Sequence, residues 1–178
     1  MPEKEPDRSR LEEALLTLYE ESYDRVARYL FARIGDQQEA EDLASEAFLR
    51  ALENLDSYKD RGLPMAAWVF KIAHNLYVDY IRKSKKGYLV DLDDVTISAS
   101  TNVEESAEQN DRNEKLSEAL EHLTPGQREV IVLRFFSGLK SRECAEILGK
   151  KHSAIREMQS AAMRTLRQVL DREHDNEQ

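Results

Sequence analysis

Apolar residues in this chain recur at steps of three and four, and the rhythm lapses over one long interior stretch. Leu11, Leu15, Leu18, Ser22, Val26 and Tyr29 predict an amphipathic helix from residue 11 to about 34, which Gly35 stops. Asp36, three residues before Glu39, opens a second helix as a capping-box-like pair. Its inward stripe is Ala40, Leu43, Ala44, Ala47, Phe48, Ala51, Leu52 and Leu55. Pro64 suits a first helical position, and Met65, Trp68, Val69, Ile72, Ala73, Leu76, Tyr80 and Ile81 continue on helical spacing. The pattern resumes at Leu116, Leu120 and Leu123, followed by Thr124-Pro125, a cap and a helix-starting proline. Val130, Ile131, Leu133 and Phe135 make a short apolar helix that ends at Ser137-Gly138. Ser141 suits the cap of the next helix, with Cys144, Ala145, Ile147 and Leu148 inward and Gly149 as its stop. The last helix turns Ile155, Met158, Ala162, Leu166 and Leu170 inward.

The fold class expected is therefore all-α, with two small helical domains joined by an acidic, flexible linker. The boundaries are a tail at 1–10, a helical bundle at 11–86, the linker at 87–113, a second helical unit at 114–172 and a tail at 173–178. Only 6 Gly and 4 Pro in 178 residues argue against a turn-rich β-sandwich or barrel. A single cysteine excludes an internal disulfide framework. No run approaches the ~18 apolar residues of a membrane span, and MPEKEPDRSR lacks the apolar centre of a signal peptide. A cytoplasmic location without membrane contact of its own is expected.

The net charge of −9 argues against nucleic-acid binding until its distribution is considered. Residues 58–88 hold seven bases and two acids, and residues 137–172 hold eight bases and four acids. The acids concentrate elsewhere: eight against three bases in 1–24, seven against Arg50 in 36–56, and ten against two bases in 91–121. Phosphates respond to local fields, so two basic segments outweigh the average. Charge blocks are commonly no more than solvated helix faces, but here they coincide with helix ends and a motif. Leu139 to Arg167 has the layout of a helix-turn-helix: a short helix, a turn at Gly149, then a longer helix with a polar start. Ser153, Arg156, Glu157, Gln159 and Ser160 lie on or near that polar face, and Arg and Gln suit guanine and adenine edges. An ordinary helical hairpin has a similar pattern.

Three further segments resemble one family. Glu41-Asp42-Leu43-Ala44-Ser45-Glu46-Ala47-Phe48-Leu49-Arg50-Ala51 is similar to the core-polymerase-binding helix of sigma-70 family sigma factors. Ala67 to Leu76 and Asp79-Tyr80-Ile81-Arg82 resemble their promoter-melting segment. Leu123 to Val130 and Ala145 to Gly149 resemble their C-terminal domain. The short, two-domain layout resembles the extracytoplasmic-function (ECF) subgroup.

The resemblance implies binding of core RNA polymerase, with Asp42, Ser45, Glu46, Leu49 and Arg50 meeting the clamp helices of the largest subunit and the flap as a further polymerase partner. It implies −10 promoter recognition and melting by Asp60, Arg61, Gly62, Lys71, His74, Asn75, Arg82 and Lys83. Asn75 is the base reader and His74 a phosphate contact; Tyr77 is the exposed aromatic available for stacking, while Phe48 and Trp68 suit the core. It implies −35 recognition by Lys150, Lys151, Ser153, Arg156, Gln159, Ser160 and Arg164. Several bases usual in the family after the position of Arg156 are missing here, so weak −35 binding outside the polymerase is expected. An anti-sigma partner is implied as well. A helix-turn-helix regulator that is not a polymerase subunit accounts for the second half but leaves the first-half motifs as coincidence. A helical adaptor leaves the basic segments unexplained. No enzyme, metal or cofactor is expected: there is no P-loop, HExxH or CxxC, and Asp91, Asp93 and Asp94 lack a calcium-loop pattern.

Overall fold

The computed structural model describes residues 7–60, 62–84, 115–116 and 118–176. The acidic stretch read as a linker, and Arg61, lie outside the described residues. Among the described residues the secondary structure is helical throughout, with no strand.

Local chemistry sets the helix ends. Helix α1 (Arg8–Ile34) starts at Asp7, whose carboxylate accepts from the Ser9 N–H, so it takes in residues expected in the tail. Gly35 ends it at φ 75°, with its N–H bonded to the Phe31 carbonyl. Asp36 caps α2 (Gln37–Glu53) by accepting from the Glu39 N–H at 3.0 Å. A 3-10 turn (Leu55–Ser57) and a loop lead to α3 (Met65–Ser84), where Pro64 is the residue before the helix and its carbonyl accepts the Trp68 N–H. Residues 115–116 and 118–121 are helical. Thr124 and Gln127 then form a reciprocal capping box at the head of α4 (Pro125–Ile131).

Helix α4 runs on into a π-helical turn (Val132–Phe136) that ends at Gly138, φ 70°. The wider turn shifts the side-chain register, and Phe135, expected inward, is 54% exposed beside Phe136. Helix α5 (Ser141–Leu148) follows, capped by the Glu143 carboxylate accepting from the Lys140 N–H at 2.7 Å rather than by Ser141. Gly149, φ 61°, turns the chain into α6 (His152–Asn176), which also takes in part of the expected C-terminal tail. Leu170, expected to point inward, is exposed near the end of α6.

Helices α1, α2 and α3 pack on one another. The small residues Ala40, Ala44, Ala47 and Ala51 let α2 lie close to its neighbours. Helices α4 and α5 pack on α6. The two groups also touch: α3 lies against α5, and α1 against the π turn. One apolar core is therefore continuous from Leu30, Leu55, Val69 and Phe70 to Val130, Leu133, Cys144 and Ile155. A smaller core holds Ala119, Leu120, Leu123, Ile131, Ala162 and Leu166. Burial of each large apolar side chain stabilises the fold by about 1.5–3 kcal/mol.

Candidate nucleic-acid and polymerase interfaces

The outer face of α2 follows from its inner one. With Ala44, Ala47, Phe48 and Ala51 buried, Asp42, Ser45, Leu49 and Arg50 are exposed and Glu46 half-buried. Asp42 accepts from Gln38 at 3.0 Å, and Arg50 pairs with Glu46 at 2.7 Å. The Tyr23 hydroxyl lies 3.2 Å from both the Ser45 hydroxyl and the Glu41 carbonyl, which fixes this edge of α2 to α1. Leu52, expected in the core, is exposed, and Leu16 and Tyr19 on α1 are exposed too. Tyr19 packs edge-on to Phe48 at 5.1 Å, so exposed apolar side chains of α1 meet α2 along this edge of the bundle. Exposed apolar side chains fringed by charge are the kind of surface that suits a protein partner. The sequence held one signal for it: Leu16 and Tyr19 fall beside the inward stripe of α1, not on it.

The loop before α3 is tied down by its own side chains. The Tyr58 hydroxyl donates to the Leu63 carbonyl at 3.0 Å, and its ring packs on half-buried Trp68 at 5.2 Å. The Asp60 carboxylate accepts from the Gly62 N–H at 3.2 Å, and Gly62 takes φ 80°, a value that favours glycine. On α3, Lys71 is half-buried and Asn75, Arg82 and Lys83 are exposed. Lys71, Asn75 and Arg82 are spaced by four and seven residues and so share a face. Two side chains expected at the surface of this helix are covered instead. Tyr77 is 2% exposed, and His74 is turned into the junction with the second group of helices, its side chain 16% exposed. Both are covered because α3 packs on two sides, against its own bundle and against the α4–α5 segment.

At that junction Tyr29 of α1 donates its hydroxyl proton to Glu129 of α4 at 2.9 Å. The His74 Nδ1 lies 2.9 Å from the same hydroxyl oxygen, so a neutral, Nδ1-protonated imidazole donates to it. Arg33 pairs with Glu129 and stands over the rings of Tyr29 and Tyr77 at 5.5 and 5.4 Å. Burial, and secondly the Arg33 charge, push His74 down to about 4. Glu129 stands 3.5 Å from that imidazole, but its charge is already taken up by Arg33 and Tyr29, so burial prevails. Burial pushes the Tyr29 phenol up to about 12. This cluster was not legible in the sequence, because Tyr29 and Glu129 are 100 residues apart.

In the helix-turn-helix, Gly149 gives α5 its left-handed end, and the Lys150 N–H returns to the Ala145 carbonyl at 3.0 Å. Lys150 and Lys151 are exposed in the turn. Ser153, Arg156, Ser160 and Arg164 are exposed along α6 at spacings of three, four and four, one stripe of its surface. Gln159 differs: half-buried, it accepts from the Arg134 Nε at 3.1 Å and so braces α6 on the π turn. Among the described residues no His, Cys, Asp or Glu group of three or more has metal-ligating geometry, and no helix is long and apolar enough to cross a membrane.

A three-helix bundle with a helix-turn-helix behind it is the architecture of a sigma factor, and comparison with known proteins bears this out. The family description of sigma-70 region 2 matches residues 18–87, and that of sigma-70 region 4 matches residues 113–166. The chain belongs to the sigma-70 family, in the ECF group. It is 37% identical to the ECF RNA polymerase sigma factor BldN of Streptomyces coelicolor over 86% of its own length and 59% of that protein's. It is 32% identical to the ECF sigma factor SigD of Mycobacterium tuberculosis over 92% of its length and 78% of that protein's. The fold is shared with CnrH, solved with the cytosolic domain of CnrY (TM-score 0.62, 22% identity, 92% and 94% of the two chains). It is shared equally with RpoE of Bartonella quintana, solved with the anti-sigma factor NepR (TM-score 0.62, 23% identity, 90% and 96%).

Proposed function

We propose that this chain is a promoter-specificity subunit of RNA polymerase, binding core enzyme through the outer face of α2 and directing initiation at its own promoters. The observation that carries the reading is the pairing of an apolar, charge-fringed α2 patch with an exposed cationic stripe on α6. One suits a protein partner and the other the DNA backbone and major groove. Asp42, Ser45, Glu46, Leu49 and Arg50 meet the polymerase, with Leu16, Tyr19 and Leu52 enlarging the contact. Asp60, Arg61, Gly62, Lys71, Asn75, Arg82 and Lys83 handle the −10 element, where cations hold the backbone and an amide reads an unstacked base. Lys150, Lys151, Ser153, Arg156, Ser160 and Arg164 handle the −35 duplex, with Gln159 positioning α6. The protein works in the cytoplasm, without an active site of its own, and an anti-sigma protein is its natural regulator. Run-off transcription with purified core polymerase on genomic fragments tests this reading. Promoter-specific transcripts are expected, and DNA binding without them points to a regulator that is not a polymerase subunit.

A further inference from the structure

The loop between the 3-10 turn and α3 is held from both sides by backbone hydrogen bonds. On the near shoulder the Ser57 N–H and hydroxyl both donate to the Asn54 carbonyl, at 2.9 and 2.6 Å, and the Tyr58 N–H donates to the Leu55 carbonyl at 3.0 Å. On the far shoulder the Pro64 carbonyl accepts the Trp68 N–H at 3.2 Å, which starts α3. One side chain joins the two. Tyr58 donates its hydroxyl to the Leu63 carbonyl at 3.0 Å while its ring packs on Trp68 with the centroids 5.2 Å apart. Burial, and secondly the Asp60 charge, raise the Tyr58 phenol, so it keeps the proton that it donates.

Packing does not call for that hydroxyl. A phenylalanine ring would pack on Trp68 equally well, and a neutral hydrogen bond in an exposed loop adds little to the stability of a bundle. What the bond fixes is the chain it spans. Lys59, Asp60 and Gly62 between the shoulders are exposed, and Asp60 closes the tip by accepting from the Gly62 N–H. Gly62 stands at φ 80°, yet a Cβ there would meet nothing within 4 Å. The glycine therefore serves the left-handed turn of the backbone, and the space above it is open. An open, polar, pre-shaped turn at the head of α3 can take up an unstacked base without losing loop entropy on binding.

We propose that Tyr58 is a positioning residue for −10 reading, its hydroxyl clipping the two shoulders of the 59–62 loop into the shape that discriminates one base from another. The clip rests on the proposed function, in which Asp60, Arg61 and Gly62 meet that element. Tyr58 acts through the loop and touches no base. Loss of the hydroxyl leaves the ring, the bundle and α6 as they are and lets the loop take other shapes, so wrong bases are accepted more nearly as well as the right one.

Tyr58→Phe in the full chain tests the clip, and Trp68 is a built-in probe, since it is the sole tryptophan of the sequence and packs on Tyr58. Acrylamide quenching of Trp68 is expected to rise about twofold or more, at a melting temperature within about 3 °C of the parent's. With core polymerase, run-off transcription is compared on the mapped promoter and on templates with single changes in the −10 or the −35 element. Preference for the mapped −10 sequence is expected to fall about fivefold, the size of one net hydrogen bond, while preference for the −35 sequence stays as in the parent. Gly62→Ala puts a methyl group into open space and strains only the left-handed turn. It moves both readouts the same way, and it decides the matter if Tyr58→Phe loses helix content. Parental quenching and −10 preference in Tyr58→Phe overturn the clip, and so does an equal loss at both elements, which marks a residue of the fold alone. If the parent directs no promoter-specific transcript, the polymerase reading falls. The clip is then decided by Trp68 quenching together with affinity for a mixed-sequence single-stranded oligonucleotide, where a drop of about threefold in Tyr58→Phe supports it and an unchanged affinity overturns it.

Discussion

Helices α3 and α6 are both proposed to handle DNA, yet the structure presents them in opposite states. Helix α6 shows its cationic stripe to solvent, with Arg156, Ser160 and Arg164 exposed and only Gln159 drawn into an internal hydrogen bond. Helix α3 is covered on the side that carries His74 and Tyr77, and Phe70 is fully buried between Tyr29 and Arg25. One surface is ready for its ligand; the other is used to hold the molecule together. A residue's contribution to stability and its contribution to DNA binding should therefore separate cleanly on α6 and overlap on α3.

Phe70→Ala gives the largest expected effect, a loss of about 3–5 kcal/mol in unfolding free energy measured in denaturant, because it opens a cavity in the shared core. A loss below about 1 kcal/mol would show that the α3 side is not the load carrier the comparison makes it. Acidification comes next. His74 is held near 4 in the folded chain and regains the ordinary ~6.5 on unfolding, so its contribution is whole above pH 6.5 and is lost as pH falls toward 4. The folded state should weaken by roughly 2 kcal/mol between pH 7 and pH 5, at about 1.4 kcal/mol per unit. His74→Gln should flatten that dependence, and a parallel slope in the variant would count against the assignment. On α6, Arg156→Ala should cut affinity for a −35 duplex about tenfold while stability stays within about 0.5 kcal/mol of the parent. Fluorescence anisotropy and a thermal melt on one preparation read both. The smallest effect belongs to Lys151→Ala, which should lower the slope of log affinity against log salt by about one with no change in sequence preference.

Much of the fold was legible in the sequence because its rules are local. Asp36, Thr124-Pro125, Gly35 and Gly149 each fix a helix end within four residues, and each does so in the structure. Phe48, Ile155 and Ala162 follow from periodicity and are buried. The failures are also physical. Periodicity leaves Tyr77 to solvent because one stripe of α3 accounts for its own bundle, whereas α3 has a second buried side against α5. Periodicity turns Phe135 inward at 3.6 residues per turn, and the π turn changes that count. Leu52 and Leu170 lie on apolar stripes but face outward, each near the C-terminal end of its helix. His74 and Glu129 come together only through a contact that no local rule anticipates, so the junction they form emerges from the packing alone.

The single cysteine acquires a use from this arrangement. Cys144 on α5 is fully buried, and burial pushes its thiol up to about 11. At pH 7 such a thiol is ionised about 1 part in 10⁴, some 300-fold less than a solvated cysteine of pKa ~8.5. Its alkylation in the native protein should therefore be slow and limited by opening of the core that covers it. The rate at which Cys144 is modified should time that opening without a dye, a spin label or any change to the sequence.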